Sequence, residues 1–328
     1  MKLPLPNPAR LCVFLLAAAV PLLGADQKLM ITMMPKAKGN AYFISVKAGA
    51  DKAAKELGVE LLFDGPTESN AAKQNEIVEN WITLGVDVIT VAAENKESLS
   101  TALRKAQAQG IKVVTFDADV LPDARSFFVN QATPEGIAVG LLDEAARLMG
   151  GEGEFAIITA TLTAGNQREW LRIIDEVLPK KYPKMKLVSV RPSDDLKDKA
   201  QSEATALMSA YPKLKLLMAI CTPGTPGAAE AVKQAGKVGQ VKVIGLGLPN
   251  ENKRYVHEGV TDSVVLWNTE DLGYLTVYAA AAVAKGTLAP GAASFKAGSI
   301  GTFEIKGDNI LLGKPFIFNK GNIDQFDF

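Results

Sequence analysis

The residues best placed for chemistry sit where short apolar runs stop. Val113-Val114-Thr115-Phe116 is β-branched and apolar and ends in Asp117-Ala118-Asp119, two carboxylates flanking an alanine. Leu29 to Met34 runs into Pro35-Lys36-Ala37-Lys38-Gly39-Asn40, and Val264-Val265-Leu266 runs into Trp267-Asn268. Such runs read as buried strands. Polar groups at the carboxyl ends of parallel strands stand where open α/β sheets bind ligands. Asn166 and Gln167 follow the run Glu154–Thr159, and Thr222 follows Leu214–Ile220. Tyr42 and Phe43 open a helical segment. Carboxylates accept hydrogen bonds, lysine donates them, amides do both, and aromatic faces cover C–H surfaces. Lys36, Tyr42, Phe43, Asp117, Asp119, Asn166, Gln167, Thr222, Trp267 and Asn268 therefore make a candidate set for a neutral polyhydroxyl ligand. Taken singly, the members have plainer readings: Tyr42-Phe43 as helix-face core, Asn166-Gln167 as a helix cap.

Catalytic sets are harder to build. His257 is the sole histidine, on a charged helical stretch beside Glu258-Gly259, where a solvated histidine is expected. Without it no Ser-His-Asp or Cys-His arrangement exists. Metal-ligand spacing, a strand-linked Gly-x-Gly-x-x-Gly and a Walker loop are missing from the sequence. No enzyme activity and no cofactor are expected.

The elements that must position these residues alternate. Strands are expected at Leu29–Met34, Glu60–Asp64, Val86–Ala92, Lys112–Asp117, Ser126–Asn130, Glu154–Thr159, Lys186–Arg191, Leu214–Ile220, Val241–Leu246 and Ser263–Asn268. Helices are expected at Ala41–Leu57, Asn70–Leu84, Lys96–Gln109, from Thr133-Pro134 to about Met149, and at Gln167–Leu178, Leu196–Ala210, Gly227–Ala235 and Leu272–Ala284. Gly58, Gly85 and Gly110 close the first three, and Thr133-Pro134 supplies an N-cap and a first-turn proline. Strands apolar on both faces, alternating with helices, imply parallel sheets covered by helices: an α/β fold. The alternation restarts after Gly150-Gly151-Glu152-Gly153, so two βα lobes are expected. The boundaries read as 26–131 plus 268–298 for an N-terminal lobe, and 132–267 plus 299–328 for a C-terminal lobe. Asn309–Phe318 reads as an edge strand. Several crossings between lobes make a hinge, with the ligand cleft between them.

With 328 residues, 48% hydrophobic and 22% charged, the chain is long enough for two domains, and its zero formal charge speaks against a nucleic-acid partner. Residues 1–25 read as a secretory signal peptide: Lys2 and Arg10, then the apolar Leu11–Leu23, then Gly24-Ala25 before Asp26. Its removal leaves a net charge of −2 and one cysteine, Cys221, so an internal disulfide cannot form. Cys221 is expected as a small packed residue.

The chain resembles the periplasmic sugar-binding proteins of ABC importers, type I, with two Rossmann-like lobes and three hinge crossings. It is most similar to the subgroup of rhamnose-binding and autoinducer-2-binding proteins. The resemblance rests on Pro35-Lys36, Phe63-Asp64-Gly65-Pro66-Thr67-Glu68, Thr115 to Asp119, Asn130 to Pro134, Leu248-Pro249-Asn250 with Tyr255-Val256, and the ending Phe318 to Phe328. It implies ligand contacts at Lys36 and at Asp117. The Asp-Gln pair of autoinducer-2 binders reads Asn166-Gln167 here, their Pro-Asp-Ala strand end reads Ile220-Cys221-Thr222, and their Trp-Asp reads Trp267-Asn268. Those departures, with Pro249–Lys253 and Leu266–Tyr274, lean towards the rhamnose binders. The implied protein is a periplasmic monomer that carries a monosaccharide, preferably a rhamnose-like deoxy-hexose, to a membrane permease. Autoinducer-2 is the alternative ligand. A sugar-sensing effector domain or signalling receptor is the alternative of another class, although a repressor's DNA-binding helices would stand where the signal peptide stands.

Overall fold

Each core strand is an apolar run whose alternate side chains enter two different helix layers. In a computed structural model, which describes Met1 and residues 28–328, the first unit contains β1 (Met30–Met34), α1 (Ala41–Leu57), β2 (Glu60–Phe63), α2 (Ala71–Leu84), β3 (Val88–Val91), α3 (Lys96–Ala108), β4 (Lys112–Phe116) and β5 (Phe127–Asn130). The second contains α4 (Pro134–Met149), β6 (Gly153–Thr159), α5 (Gly165–Lys181), β7 (Met185–Pro192), α6 (Lys197–Ala210), β8 (Leu214–Ala219), α7 (Gly224–Gln234), β9 (Lys242–Leu246), α8 (Pro249–His257) and β10 (Thr261–Leu266). Then follow α9 (Thr269–Ala284), β11 (Ser294–Ala297), β12 (Gly301–Lys306), β13 (Asn309–Leu311) and β14 (Phe316–Asn319). Apart from Met1, the expected signal peptide, with Cys12, lies outside the described residues. No helix among the described residues is long and apolar enough to cross a membrane.

Both sheets carry one parallel core order. In the first it is β2-β1-β3-β4-β5, and in the second β7-β6-β8-β9-β10. Strand order therefore reverses at β1/β3 and again at β6/β8, and both carboxyl edges open at such switch points. Ile31 and Met33 of β1 pack in one core layer with α1, while Met34 packs with Ile77 and Val78 of α2. Phe155 and Ile157 of β6 lie with Leu141 of α4 and Ile173 of α5; Ala156 and Ile158 lie with Ala204 of α6 and Val232 of α7. Strands covered on both faces need no polar side, which is why these runs are mostly apolar, with buried threonines such as Thr32 and Thr159 between the apolar residues.

The sheet edges differ from the wholly parallel expectation. β13 pairs parallel with β5, and β12 and β11 add antiparallel beyond it; β14 pairs antiparallel with β10. Residues 301–311 thus belong to the first sheet, not to the second lobe, and the last crossing falls between β13 and β14. Asn309–Phe318 is accordingly two short strands in two sheets rather than one edge strand.

Local chemistry sets the helix ends. Asn40, Asn70, Asn95 and Thr133 accept from backbone amides as N-caps of α1 to α4, and Gly58, Gly85 and Gly150 close helices in the left-handed region. α9 returns to the first lobe and packs along α1. A Cβ on Gly273 would stand 1.8 Å from the Val46 carbonyl oxygen, so glycine is required for this approach.

Candidate ligand site in the cleft between the lobes

Strands β1, β4, β6, β7, β8 and β10 end facing one cavity of about 440 Å³, solvent-open mouth included. Eight of the ten expected residues line it: Lys36, Tyr42, Phe43, Asp117, Asn166, Gln167, Thr222 and Trp267.

The first lobe supplies a fixed relay. Trp267 Nε1 donates to the Tyr42 hydroxyl at 2.9 Å, and that hydroxyl donates to Asp117 Oδ1 at 2.8 Å. Phe43 meets Tyr42 edge-on at 5.0 Å between centroids and packs against Phe116. Tyr42 and Phe43 are therefore both core and cavity wall. Asp117 has a φ of 59°, in the left-handed region that aspartate tolerates better than most residues. Burial pushes its carboxyl above the usual carboxylate range, with nearby Lys36 and the Tyr42 hydrogen bond pulling the other way. Burial, then the charge of Asp117, holds the Tyr42 phenol well above its ordinary value, so it stays a neutral donor. Among the described residues Asp117 Oδ2 accepts no hydrogen bond and is free for a ligand.

The second lobe supplies amides. Gln167 Oε1 accepts from the Ala160 amide at 2.8 Å and from Thr159 Oγ1 at 2.5 Å, which ties it to the end of β6. That leaves the Gln167 amide nitrogen as a donor. Asn166 is not the cap of α5, whose N-cap position is Ala164. Its Oδ1 accepts both from the Gln167 backbone amide at 3.0 Å and, across the cleft, from Lys36 Nζ at 3.1 Å. Three further bonds span the lobes: Asn40 Nδ2 to Asp195 Oδ2 at 2.6 Å, and Thr161 Oγ1 and Thr163 Oγ1 to Glu94 Oε1 at 2.7 and 3.4 Å. The lobes are closed on each other. Trp170, Ile220 and Leu246 give the cavity an apolar side.

Two expected residues are employed elsewhere. The Asp119 carboxylate accepts from Arg125 Nε at 2.9 Å, Arg125 Nη2 at 2.7 Å and Thr115 Oγ1 at 2.6 Å. It neutralises a guanidinium whose side chain is 2% exposed and does not line this cavity. Asn268 is the N-cap of α9, its Oδ1 accepting from the Asp271 amide at 3.1 Å. Both are the right residue types at a strand end, but the Asp119 carboxylate is held by Arg125 and the Asn268 side-chain oxygen by the helix it caps.

Asp195, Asn40 and Ser69 also line the cavity and were not in the sequence-derived set. The signal for Asp195 was present: the strand expected at Lys186–Arg191 runs into Pro192-Ser193-Asp194-Asp195, the same form as the strand before Asp117. Cys221 is 3% exposed, and burial pushes its thiol up to about 12, so it is a neutral wall residue. His257 lies on α8 with Nε2 2.9 Å from Asp324 and is not among the cavity residues. No group of three or more His, Cys, Asp or Glu side chains placed to hold a metal occurs among the described residues.

Two doubly wound lobes closed over a cavity at their strand ends define a type I, two-lobe solute-binding fold. Residues 31–288 match the periplasmic binding protein domain model, and the chain belongs to that family. It is similar to the D-ribose/D-allose-binding protein of Pseudomonas aeruginosa, 31% identical over 229 residues, covering 67% of this chain and 70% of the relative. Among solved structures, an ABC transporter solute-binding protein of Clostridium phytofermentas with bound L-rhamnose superposes with a TM-score of 0.87 at 32% identity, covering 91% of this chain and 98% of that one. An autoinducer-2 complex of LsrB from Clostridium saccharobutylicum has the same fold, with a TM-score of 0.87 at 24% identity over 91% and 100% of the two chains.

Proposed function

We propose that this chain is an exported solute-binding protein of an ABC importer that closes around a neutral monosaccharide and delivers it, unchanged, to a membrane permease. The observation that carries the reading is the cavity itself. Lys36, Asp117, Asn166, Gln167 and Thr222 converge from both lobes on one space beside Trp267. Carboxylates can only accept and the ammonium only donate, while a sugar hydroxyl does both, so this mixture suits a polyhydroxyl ligand. The apolar side formed by Trp170, Ile220 and Leu246 suits a ring face or a methyl group, which favours a deoxy-hexose such as rhamnose. The L-rhamnose complex of the similar Clostridium phytofermentas protein supports that preference. Ribose and allose, named for the Pseudomonas aeruginosa relative, are the next sugars to test. Closure of two lobes around a fixed site suits carriage, because a ligand held at both lobes stabilises the closed state relative to the open one.

Native mass spectrometry of protein purified without added sugar tests the reading. The expected spectrum carries one added mass of a monosaccharide, which dissociates intact. Release of a chemically altered sugar, or a retained ligand that is not a carbohydrate, contradicts it.

A further inference from the structure

Asp195 stands on the loop after β7 with unusual definition. Asp194 and Asp195 are consecutive non-glycine residues in the left-handed region, with φ of 53° and 59°. Such a pair persists only where the surroundings fix it. Here the Ser193 amide and Ser193 Oγ both donate to the Thr159 carbonyl, at 2.8 and 3.0 Å, and the Asp194 amide donates to the Ala160 carbonyl at 2.7 Å. The loop is thereby stapled to the end of β6, beside the amide that fixes Gln167. The Asp195 carboxylate faces the cavity. Its Oδ2 accepts from Asn40, and its Oδ1 accepts nothing among the described residues.

We propose that Asp195 is a specificity-determining ligand residue, the second-lobe counterpart of Asp117, which selects sugars presenting a free hydroxyl donor to the second lobe and rejects their deoxy or O-methyl counterparts. This rests on the sugar-binding reading above. An ionised carboxylate is acceptor-only, so a ligand without a donor at that point leaves it desolvated and unpaired. Sites of that kind discriminate far more sharply than apolar pockets, because the penalty falls on the wrong ligand.

A residue kept for the ligand rather than for the fold carries a cost in the free protein. With the lobes closed, partial burial of Asp195 pushes its carboxyl up to about 6; Lys36 and the Asn40 hydrogen bond oppose the shift, while Glu94 and Asp117 add to it. Glu251 and Cys221 also lie within its field. A structural carboxylate would behave in the opposite way, since its removal would destabilise.

The test uses Asp195→Asn, which keeps the shape, keeps an acceptor for Asn40 and tolerates left-handed backbone. Calorimetry is run on wild type with L-rhamnose, D-ribose and D-allose, and the tightest is carried forward with its mono-deoxy and mono-O-methyl derivatives. Asp195→Asn is expected to lower affinity for the parent sugar at least tenfold without lowering the melting temperature of the sugar-free protein. One derivative is expected to lose a similar factor on wild type and nothing further on Asp195→Asn. Undiminished affinity in the variant, or a lowered melting temperature, overturns the role of Asp195 and leaves the sugar reading standing. A wild type that binds none of the three sugars overturns both.

Discussion

The Tyr42 hydroxyl donates to Asp117 Oδ1 at 2.8 Å while accepting from Trp267 Nε1. A helix start, a strand end and a hinge crossing, 225 residues apart at the extremes, thus meet in one short chain of hydrogen bonds. The tyrosine uses its donor on the carboxylate, so Asp117 keeps a single orientation before any ligand arrives. Such preorganisation reduces what must be ordered on binding.

Asp117→Asn removes the charge but keeps an acceptor for Tyr42, and asparagine tolerates the left-handed backbone there. Hydrogen bonds to a charged group contribute roughly 1.5–3 kcal/mol, and 1.4 kcal/mol is about tenfold. Affinity for the cognate sugar is therefore expected to fall by about tenfold to a few hundredfold in calorimetry. Unchanged affinity would remove Asp117 from the site.

Asp119→Ala should separate stability from binding. It strips Arg125 of a bidentate partner, leaving a guanidinium with a 2% exposed side chain and Asp308 as its remaining carboxylate. Breaking a buried pair costs about 3 kcal/mol at the lower end of its usual range. Denaturant melts should show that loss, with sugar affinity within about twofold of wild type. A large affinity loss at unchanged stability would return Asp119 to the ligand site.

Tyr42→Phe and Trp267→Phe should not add. Tyr42→Phe leaves the indole N–H buried and unpaired, whereas the double variant leaves no orphan donor, and contacting residues couple by about 0.5–3 kcal/mol. In a double-mutant cycle the pair is expected to cost less than the sum of the single changes. Strict additivity would mean that the relay contributes nothing as a unit.

Stability without sugar should depend on pH in a definite direction. Asp195 has a folded value of about 6, above its unfolded value, and Asp117 is shifted upward as well. Across roughly pH 4 to 6 the folded state therefore holds more protons than the unfolded state, so these groups make stability fall as pH rises. The paired carboxylate of Glu144, held below its ordinary value by Arg147, contributes with the opposite sign and loses its contribution as pH falls through its lower folded value. Melting temperatures at half-unit steps from about pH 4.5 to 6.5 should give a less negative slope in Asp195→Asn than in wild type. An unchanged slope in the variant would show that Asp195 is not its source.

Much of this was readable from residue types. Apolar runs and glycine stops located every core strand and most helices, because parallel strands buried on both faces leave an unbroken signal. The strand-end rule picked out Asp117, Lys36 and Gln167, which line the cavity. That rule cannot tell where a side chain's capacity is already spent. Asp117 and Asp119 are chemically alike, yet Arg125, six residues beyond Asp119, claims the latter. Asn268 and Asn166 are alike too, yet one caps a helix and the other meets Lys36 across the cleft. Both distinctions depend on tertiary partners. The final crossing was misplaced because β12, β13 and β14 draw their order from different neighbouring strands rather than from an apolar pattern of their own.

The most direct test of the central claim is titration calorimetry of the sugar-free protein with L-rhamnose, D-ribose, D-allose and autoinducer-2, followed by recovery of each ligand. One neutral sugar, with L-rhamnose expected first, should bind one-to-one and return chemically unchanged. Failure of every neutral sugar to bind, or binding of autoinducer-2 alone, would contradict the account.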